Sequence, residues 1–276
     1  MKAALLQITS SDDPKANLAM VEELVQQAAA AGAGFILTPE VTNVVTSNRA
    51  QRDRVVQTQA DDITLAGLRE LAKHLGIWLS IGSLLIKTGD ADGLFANRSF
   101  LIGPTGAIAA QYDKIHLFDV TVSPTETYRE SAGVRPGNRA VIAQTPFGTV
   151  GLTVCYDVRF PQLHRALALA GAQIILQPAA FSTVTGAAHW EPLLRARAIE
   201  TGCYVLAAAQ TGLHPSSTGK NRRTYGHSMA ISPWGEVLVD AGVDPGISYV
   251  DLDRAQVTQA RARIPALDHD RPFEGP

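Results

Sequence analysis

The stretch GLTVCYDVRFPQLHRAL, residues 151–167, decides how this chain is built. Leu152, Thr153 and Val154 form a short run suited to a buried strand, and Pro161 stands where proline suits the first turn of a helix. Cys155 therefore falls at the corner between the two. A rigid corner holds a side chain in place, and the free N–H groups of a helix start favour negative charge and lower a thiol pKa. Two readings of Cys155 stand at this point, a nucleophile or a small apolar residue of the core.

Outward from this corner the same rhythm repeats. Upstream, residues 3–8 read as a buried strand. Asp12, Asp13 and Pro14 then start an alanine-rich helix that Gly32 and Gly34 stop, and residues 35–37 form a second strand ending in Thr38-Pro39-Glu40. Residues 65–75 have helical spacing with Gly76 as cap, residues 77–86 read as a strand, and residues 99–114 read as a hairpin turning at Gly103-Pro104-Thr105-Gly106. Residues 119–138 are polar and too long a connection to be idle, so they read as a loop shaping a pocket. Downstream follow a helix to residue 170, a strand at 174–176, a helix at 188–200 and a strand at 203–209. A loop at 214–223 comes next, then a hairpin turning at Pro233-Trp234-Gly235 and a last strand at 247–252. Alternating βα units mixed with hairpins predict an α/β fold with sheets inside and helices outside.

Composition limits what such a fold can do. With 276 residues, 46% hydrophobic and 18% charged, the chain can fill one large core, and a single domain over residues 1–276 is expected. The formal net charge of -2 supplies no basic field for nucleic acid or an anionic membrane, which leaves a small molecule as the expected ligand. Only two cysteines are present, Cys155 and Cys203, without CxxC or zinc spacing, so neither a disulfide framework nor a metal site is expected. The opening MKAALLQIT is interrupted by Ser10, Ser11, Asp12 and Asp13 before a signal core is complete, and no later run reaches roughly 18 apolar residues. These features predict a soluble protein of the reducing cytoplasm.

Three polar residues stand at or just beyond strand ends: Glu40 after FILTP, Lys114 in QYDKIHLFD, and Cys155. Strand ends on one rim are where α/β proteins assemble sites. Singly, each has a plain structural role. Together they supply what acyl transfer to a thiol needs, a nucleophile, a carboxylate to take its proton and a cation for the developing oxyanion. Ordinary pKa values of about 8.5 for Cys and 4.3 for Glu leave a gap of about 4 units, roughly 5.7 kcal/mol. Burial must then raise Glu40, or Lys114 and backbone donors must lower Cys155.

Longer motifs sharpen this. TPE at 38–40, YDKIHLFD at 112–119, YRES followed by PG within 128–137, and CYDVRFPQLHRALALAGA at 155–172 resemble the nitrilase superfamily of carbon-nitrogen hydrolases, in order and nearly end to end. Residues 181–212 and 222–237 resemble most its branch of deaminated glutathione amidases, with omega-amidases next. The resemblance implies a four-layer α-β-β-α sandwich, no cofactor, dimers or higher homo-oligomers formed through the helices at 160–170 and 188–200, and cleavage of a small amide. It implies Glu40 as base, Lys114 as oxyanion stabiliser with the Tyr156 N–H, and Cys155 as nucleophile. Glu130 fits the place of a second glutamate that orients the lysine, with Glu126 as competitor.

Other motifs offer alternatives. Gly226-His227-Ser228-Met229-Ala230 approaches a nucleophile elbow but ends in alanine and precedes a hairpin. His116, His164, His189 or His227 could pair with Cys155 as a dyad. Asp157 with Arg159, and Arg197 with Glu200, read as local ion pairs. Phe181 and Trp190 read as core or as pocket wall. Lys220, Arg222 and Arg223 form a basic loop suited to gripping a substrate carboxylate, in particular the tail of deaminated glutathione. A protein that keeps the fold but only binds a partner remains the alternative from another class.

Overall fold

A computed structural model describes residues 1–124, 126–218 and 221–275. The first half runs β1 (Lys2–Gln7), α1 (Pro14–Ala30), β2 (Phe35–Leu37), α2 (Arg49–Val55), α3 (Ile63–Leu75), β3 (Trp78–Lys87), β4 (Phe95–Ile102) and β5 (Ile108–Asp113). A short hairpin, β6 (Asp119–Ser123) and β7 (Glu126–Arg129), precedes β8 (Val141–Thr145) and β9 (Gly148–Leu152). The second half runs α4 (Pro161–Leu169), β10 (Ile174–Leu176), α5 (Thr183–Thr201), β11 (Tyr204–Ala207), β12 (Thr211–Leu213), β13 (Arg223–Tyr225), β14 (Met229–Ile231), β15 (Val237–Asp240), β16 (Gly246–Asp251) and α6 (Arg254–Arg263).

Two six-stranded sheets, ordered β16-β1-β2-β3-β4-β5 and β15-β14-β11-β10-β9-β8, pack face to face. In each, three parallel strands lie between antiparallel ones: β1, β2 and β3 in the first, β9, β10 and β11 in the second. The period of two explains the layering. Ala3 and Leu5 of β1 face the second sheet, among Leu152, Ile175 and Leu206, while Ala4 and Leu6 face α1 and α3 through Val21, Val25, Leu65 and Leu68. On the far side α5 buries Trp190, Leu194 and Ala198. The layers are therefore α-β-β-α, as the resemblance implied.

Helix ends follow local chemistry. Asp13 caps α1 by accepting the Lys15 N–H at 2.9 Å, and Gly76 closes α3 in the left-handed region at φ 66°. Several expectations need correction. The polar segment at 119–138 is not a bare loop, because Asp119 to Ser123 pairs antiparallel with Glu126 to Arg129. The helix expected at 188–200 starts at Thr183, five residues earlier, since Ser182 accepts the Thr185 N–H and Gly186 fits beneath Tyr225, where a Cβ would stand 2.3 Å from its ring. Helices α2 and α6 carry too little apolar periodicity to be read from sequence. Among the described residues no helix is long and apolar enough to cross a membrane.

Candidate active site

Strand β2 ends at Leu37, and the turn that follows carries Glu40. That turn is clamped to β3: Thr38 Oγ1 accepts the Gly82 N–H at 3.1 Å, and Ser83 Oγ accepts the Val41 N–H at 2.9 Å. A Cβ on Gly82 would stand 2.1 Å from the Thr38 carbonyl oxygen, so only glycine lets β3 approach this closely. Lys114 follows β5, where its N–H donates to the Asn97 carbonyl at 3.0 Å and its carbonyl accepts the Gly137 N–H at 2.8 Å. Cys155 follows β9 in a tight turn of 3-10 type, Cys155–Arg159, at φ 50°. Non-glycine residues rarely hold such a backbone, and here it is fixed from both sides. The Cys155 N–H donates to the Pro178 carbonyl at 2.8 Å, and Gln177 Nε2 donates to the Cys155 carbonyl at 3.0 Å.

The three side chains meet in a cavity of about 300 Å³ lined also by Asn97, Tyr128, Glu130, Phe181 and Arg222. Lys114 Nζ, 2% exposed, donates to Glu40 Oε1 at 2.9 Å and to Glu130 Oε2 at 2.9 Å. Asn97 Nδ2 donates to Glu40 at 2.9 Å and to Glu130 at 3.2 Å, bridging the two carboxylates from beside the ammonium. Glu40 Oε2 accepts the Ala180 N–H at 2.8 Å, and Glu130 Oε2, besides meeting Lys114, accepts the Phe118 N–H at 2.7 Å. Two carboxylates around one buried ammonium would repel without these donors. Asn97 was missed from sequence because a polar residue inside β4 gives no local sign of where it points.

Charge distribution in the site departs from the expectation of matched pKa values. Burial pulls Glu40 upward, but the Lys114 charge and hydrogen bond outweigh it and the carboxyl sits below its ordinary value. Burial and the Glu40 charge both push the Cys155 thiol well above its ordinary value, and Lys114 offsets only part. Lys114 is held well above its own, because Glu130 and Glu40 overcome burial. The helix-start argument for a lowered thiol fails for a structural reason: α4 begins only at Pro161, and Cys155 is buried beside a carboxylate. These directions keep the proton on the Cys155 sulfur beside a carboxylate and an ammonium.

Tyr156 lies in the first turn after β9, where backbone N–H groups lack intrahelical partners. Of the two candidate glutamates it is Glu130 that bonds Lys114, whereas Glu126 accepts the Tyr128 hydroxyl at 2.6 Å. Asp157 does not pair with Arg159. It accepts from the Val154 N–H, the Tyr112 hydroxyl at 2.6 Å and His116, and so ties the Cys155 turn to β5. Arg159 lies instead over the rings of Tyr156 and Phe181. Arg197 and Glu200 do pair, at 2.6 Å.

The histidines are engaged elsewhere. His116 bonds Asp157, His164 sits between Phe160 and Gln177, His189 faces Arg159, and His227 meets Asp240. Ser228 Oγ accepts the Ala209 N–H in the core, which is incompatible with an exposed nucleophile elbow. Phe181 is both wall and core: it lines the cavity and packs on Trp190 with ring centroids 4.8 Å apart. Of the basic loop, Arg222 lines the cavity and donates to the Ala180 carbonyl at 2.6 Å, whereas exposed Arg223 on β13 is not among the lining residues. Lys220 lies outside the described residues. Among those described, no group of three or more His, Cys, Asp or Glu side chains is placed to hold a metal ion.

Two six-stranded sheets packed face to face between helices are a fold this chain shares with members of the nitrilase superfamily. The carbon-nitrogen hydrolase family profile matches residues 2–262, and the chain belongs to that family. It is 39% identical over 269 residues to a Yersinia enterocolitica protein named deaminated glutathione amidase, covering 97% of this chain and 92% of that one. The Caenorhabditis elegans NitFhit protein superposes with a TM-score of 0.90 at 35% identity over 98% of this chain, which spans 65% of that longer chain. Nit3 of Saccharomyces cerevisiae, a member of branch 10 of the nitrilase superfamily, superposes with a TM-score of 0.84 at 28% identity, covering 96% of this chain and 94% of that one.

Proposed function

We propose that residues 1–276 form one thiol-dependent amidase domain that hydrolyses a small carboxylate-bearing amide, with deaminated glutathione as substrate. The observation that carries this reading is the enclosure of Glu40, Lys114 and Cys155 in one buried cavity. Glu40 takes the Cys155 proton as the sulfur attacks the amide carbonyl, so no free thiolate accumulates. Lys114 and the Tyr156 N–H hold the oxyanion, and Glu130 fixes the Lys114 ammonium between the two carboxylates. Glu40 then protonates the leaving amine. It next activates the water that cleaves the thioester, so each step uses groups of the chain itself and no cofactor.

Substrate choice rests on the name of a relative of similar length, deaminated glutathione amidase, and on Arg222. This guanidinium reaches the Ala180 carbonyl while the Ala180 N–H bonds Glu40, so it stands one residue from the reacting groups. That short reach suits the acyl-end carboxylate of the substrate, and not the distant tail expected from the loop's sequence. Deaminated glutathione and the omega-amidase substrate α-ketoglutaramate share this acyl end, and differ in the leaving amine.

The test compares hydrolysis of the two. Faster turnover of deaminated glutathione supports the reading, faster turnover of α-ketoglutaramate converts it to an omega-amidase, and activity that survives Cys155→Ala overturns the mechanism. Intact-mass analysis that finds no acyl adduct on Cys155, with no turnover of either amide, would indicate a binding protein on this fold. Two unpaired thiols suit a reduced cytoplasmic setting. Exposed Leu169 on α4 and Val184 and Ile199 on α5 support a homodimer through these helices, which light scattering at micromolar concentration checks.

A further inference from the structure

Besides Lys114, Arg129 and Arg222, the cavity is lined by a further cation, Arg52, that sequence reading did not reach. Arg52 projects from α2 into its wall, beside Val44, Leu85 and Val134. Its neighbours on the helix are paired, Arg49 with Asp53 and Arg54 with Gln51. Arg52 is different. Its Nε is buried without a hydrogen-bond partner, and among the described residues no carboxylate lies within ion-pair distance of it. The guanidinium rests on the Phe95 ring, 5.0 Å from the centroid, and fits because residue 133 is glycine. A Cβ there would stand 2.6 Å from Arg52 Nη2. Burial holds the Arg52 pKa below its ordinary value and the Asp53 charge offsets only part of it, so the cation sits where a charge is costly.

Position relative to the reacting groups follows from the strands. Phe95 lies two residues from Asn97 on β4, so both side chains leave the same face about 7 Å apart. Asn97 touches one oxygen of Glu40, and Ala180 touches the other. Arg52 is thus anchored on the strand that carries Asn97, and Arg222 on Ala180. Arg222 thus bonds a residue that itself holds Glu40, while Arg52 lines the same cavity from the Phe95 side.

We infer that Arg52 binds the terminal carboxylate of the leaving amine, so that the cavity is built for an amide carrying an anionic group on each side of the scissile bond. The inference rests on the amidase reading above. Arg222, close to the chemistry, takes the shorter acyl arm that both candidate substrates share. Arg52, farther away, takes the longer cysteinylglycine arm that only deaminated glutathione has. Arginine suits this role because its planar fork can meet a carboxylate with two parallel hydrogen bonds.

The experiment measures kcat/KM for deaminated glutathione, for the same compound with its terminal carboxylate converted to a carboxamide, and for α-ketoglutaramate. The wild-type enzyme is expected to prefer the carboxylate tail over the carboxamide tail about tenfold, or ~1.4 kcal/mol. Arg52→Gln should remove that preference, mainly through KM. Gly133→Ala keeps the charge but its methyl displaces the guanidinium, and it should do the same. Residue 133 has φ -142°, which alanine adopts freely, so this variant stays informative if Arg52→Gln folds poorly. No wild-type preference between the two tails, or a preference that both variants retain, overturns the inference. Failure of the wild type to hydrolyse any of the three would instead overturn the amidase reading beneath it.

Discussion

Gln177 Nε2 donates to the Cys155 carbonyl at 3.0 Å and thereby holds the Cys155 backbone in its left-handed conformation. Gln177 is fully buried, and its Oε1 meets Thr153 and His164, so its orientation is itself fixed. Replacing it by leucine would leave the Cys155 carbonyl without this donor and permit the turn to relax. We expect Gln177→Leu to lower kcat by at least tenfold with little change in KM, and to cost about 1–3 kcal/mol of stability. Wild-type kcat in a folded Gln177→Leu protein would show that the turn holds without it.

The clamp between the Glu40 turn and β3 tolerates no side chain. Gly82→Ala would place a methyl 2.1 Å from the Thr38 carbonyl oxygen and 2.5 Å from that of Pro39. Both are backbone atoms and must shift, which moves Glu40 away from Lys114. We expect about 1–3 kcal/mol of destabilisation with activity falling more steeply than stability, checked by denaturant melts beside kcat. A variant that melts earlier yet turns over normally would mean that Glu40 does not depend on this contact.

Because Glu40 pushes the Cys155 thiol upward, neutralising Glu40 should lower the thiol pKa even as it abolishes turnover. The rate of alkylation by iodoacetamide against pH reads this directly. The Glu40→Gln curve should rise at lower pH than the wild-type curve, because Lys114 then acts on the sulfur without an opposing charge. A midpoint at higher pH would contradict the assigned electrostatics.

Two buried imidazoles make folding sensitive to mild acid. Burial pushes His164 and His214 down to about 4 in the folded protein, against about 6.5 when unfolded. Between those values the unfolded chain binds more protons, so stability is complete above about pH 6.5 and falls as pH drops toward 4. Each imidazole contributes a loss on the order of 3 kcal/mol across that window. Thermal melts from pH 7.5 to 4.5 should show a falling Tm, with a shallower fall in His164→Gln and His214→Gln. Indistinguishable slopes in wild type and variants would assign the acid sensitivity to other groups.

Local signals in the sequence were enough for most strands of the two large sheets and for the ends of α1 and α3, whereas the α-β-β-α layering was implied by the family resemblance and the β6–β7 hairpin was not read. Apolar runs of period two, an Asp cap and a left-handed glycine act within a few residues and need no tertiary context. Glu40, Lys114 and Cys155 were legible because each ends or follows a strand of a parallel-centred sheet, and Glu130 because its motif lies at a recognisable spacing. Tertiary structure alone decided the rest. Asn97 and Arg52 reach the cavity only through the register of β4 and the placement of α2, and Arg223 misses it although it adjoins Arg222 in sequence. Asp157 ignores the arginine two residues away because Tyr112 and His116 bring better partners across the fold. The direction of the thiol's pKa shift was likewise beyond local reading, since burial and the distance to Glu40 and Lys114 exist only once the two sheets have packed.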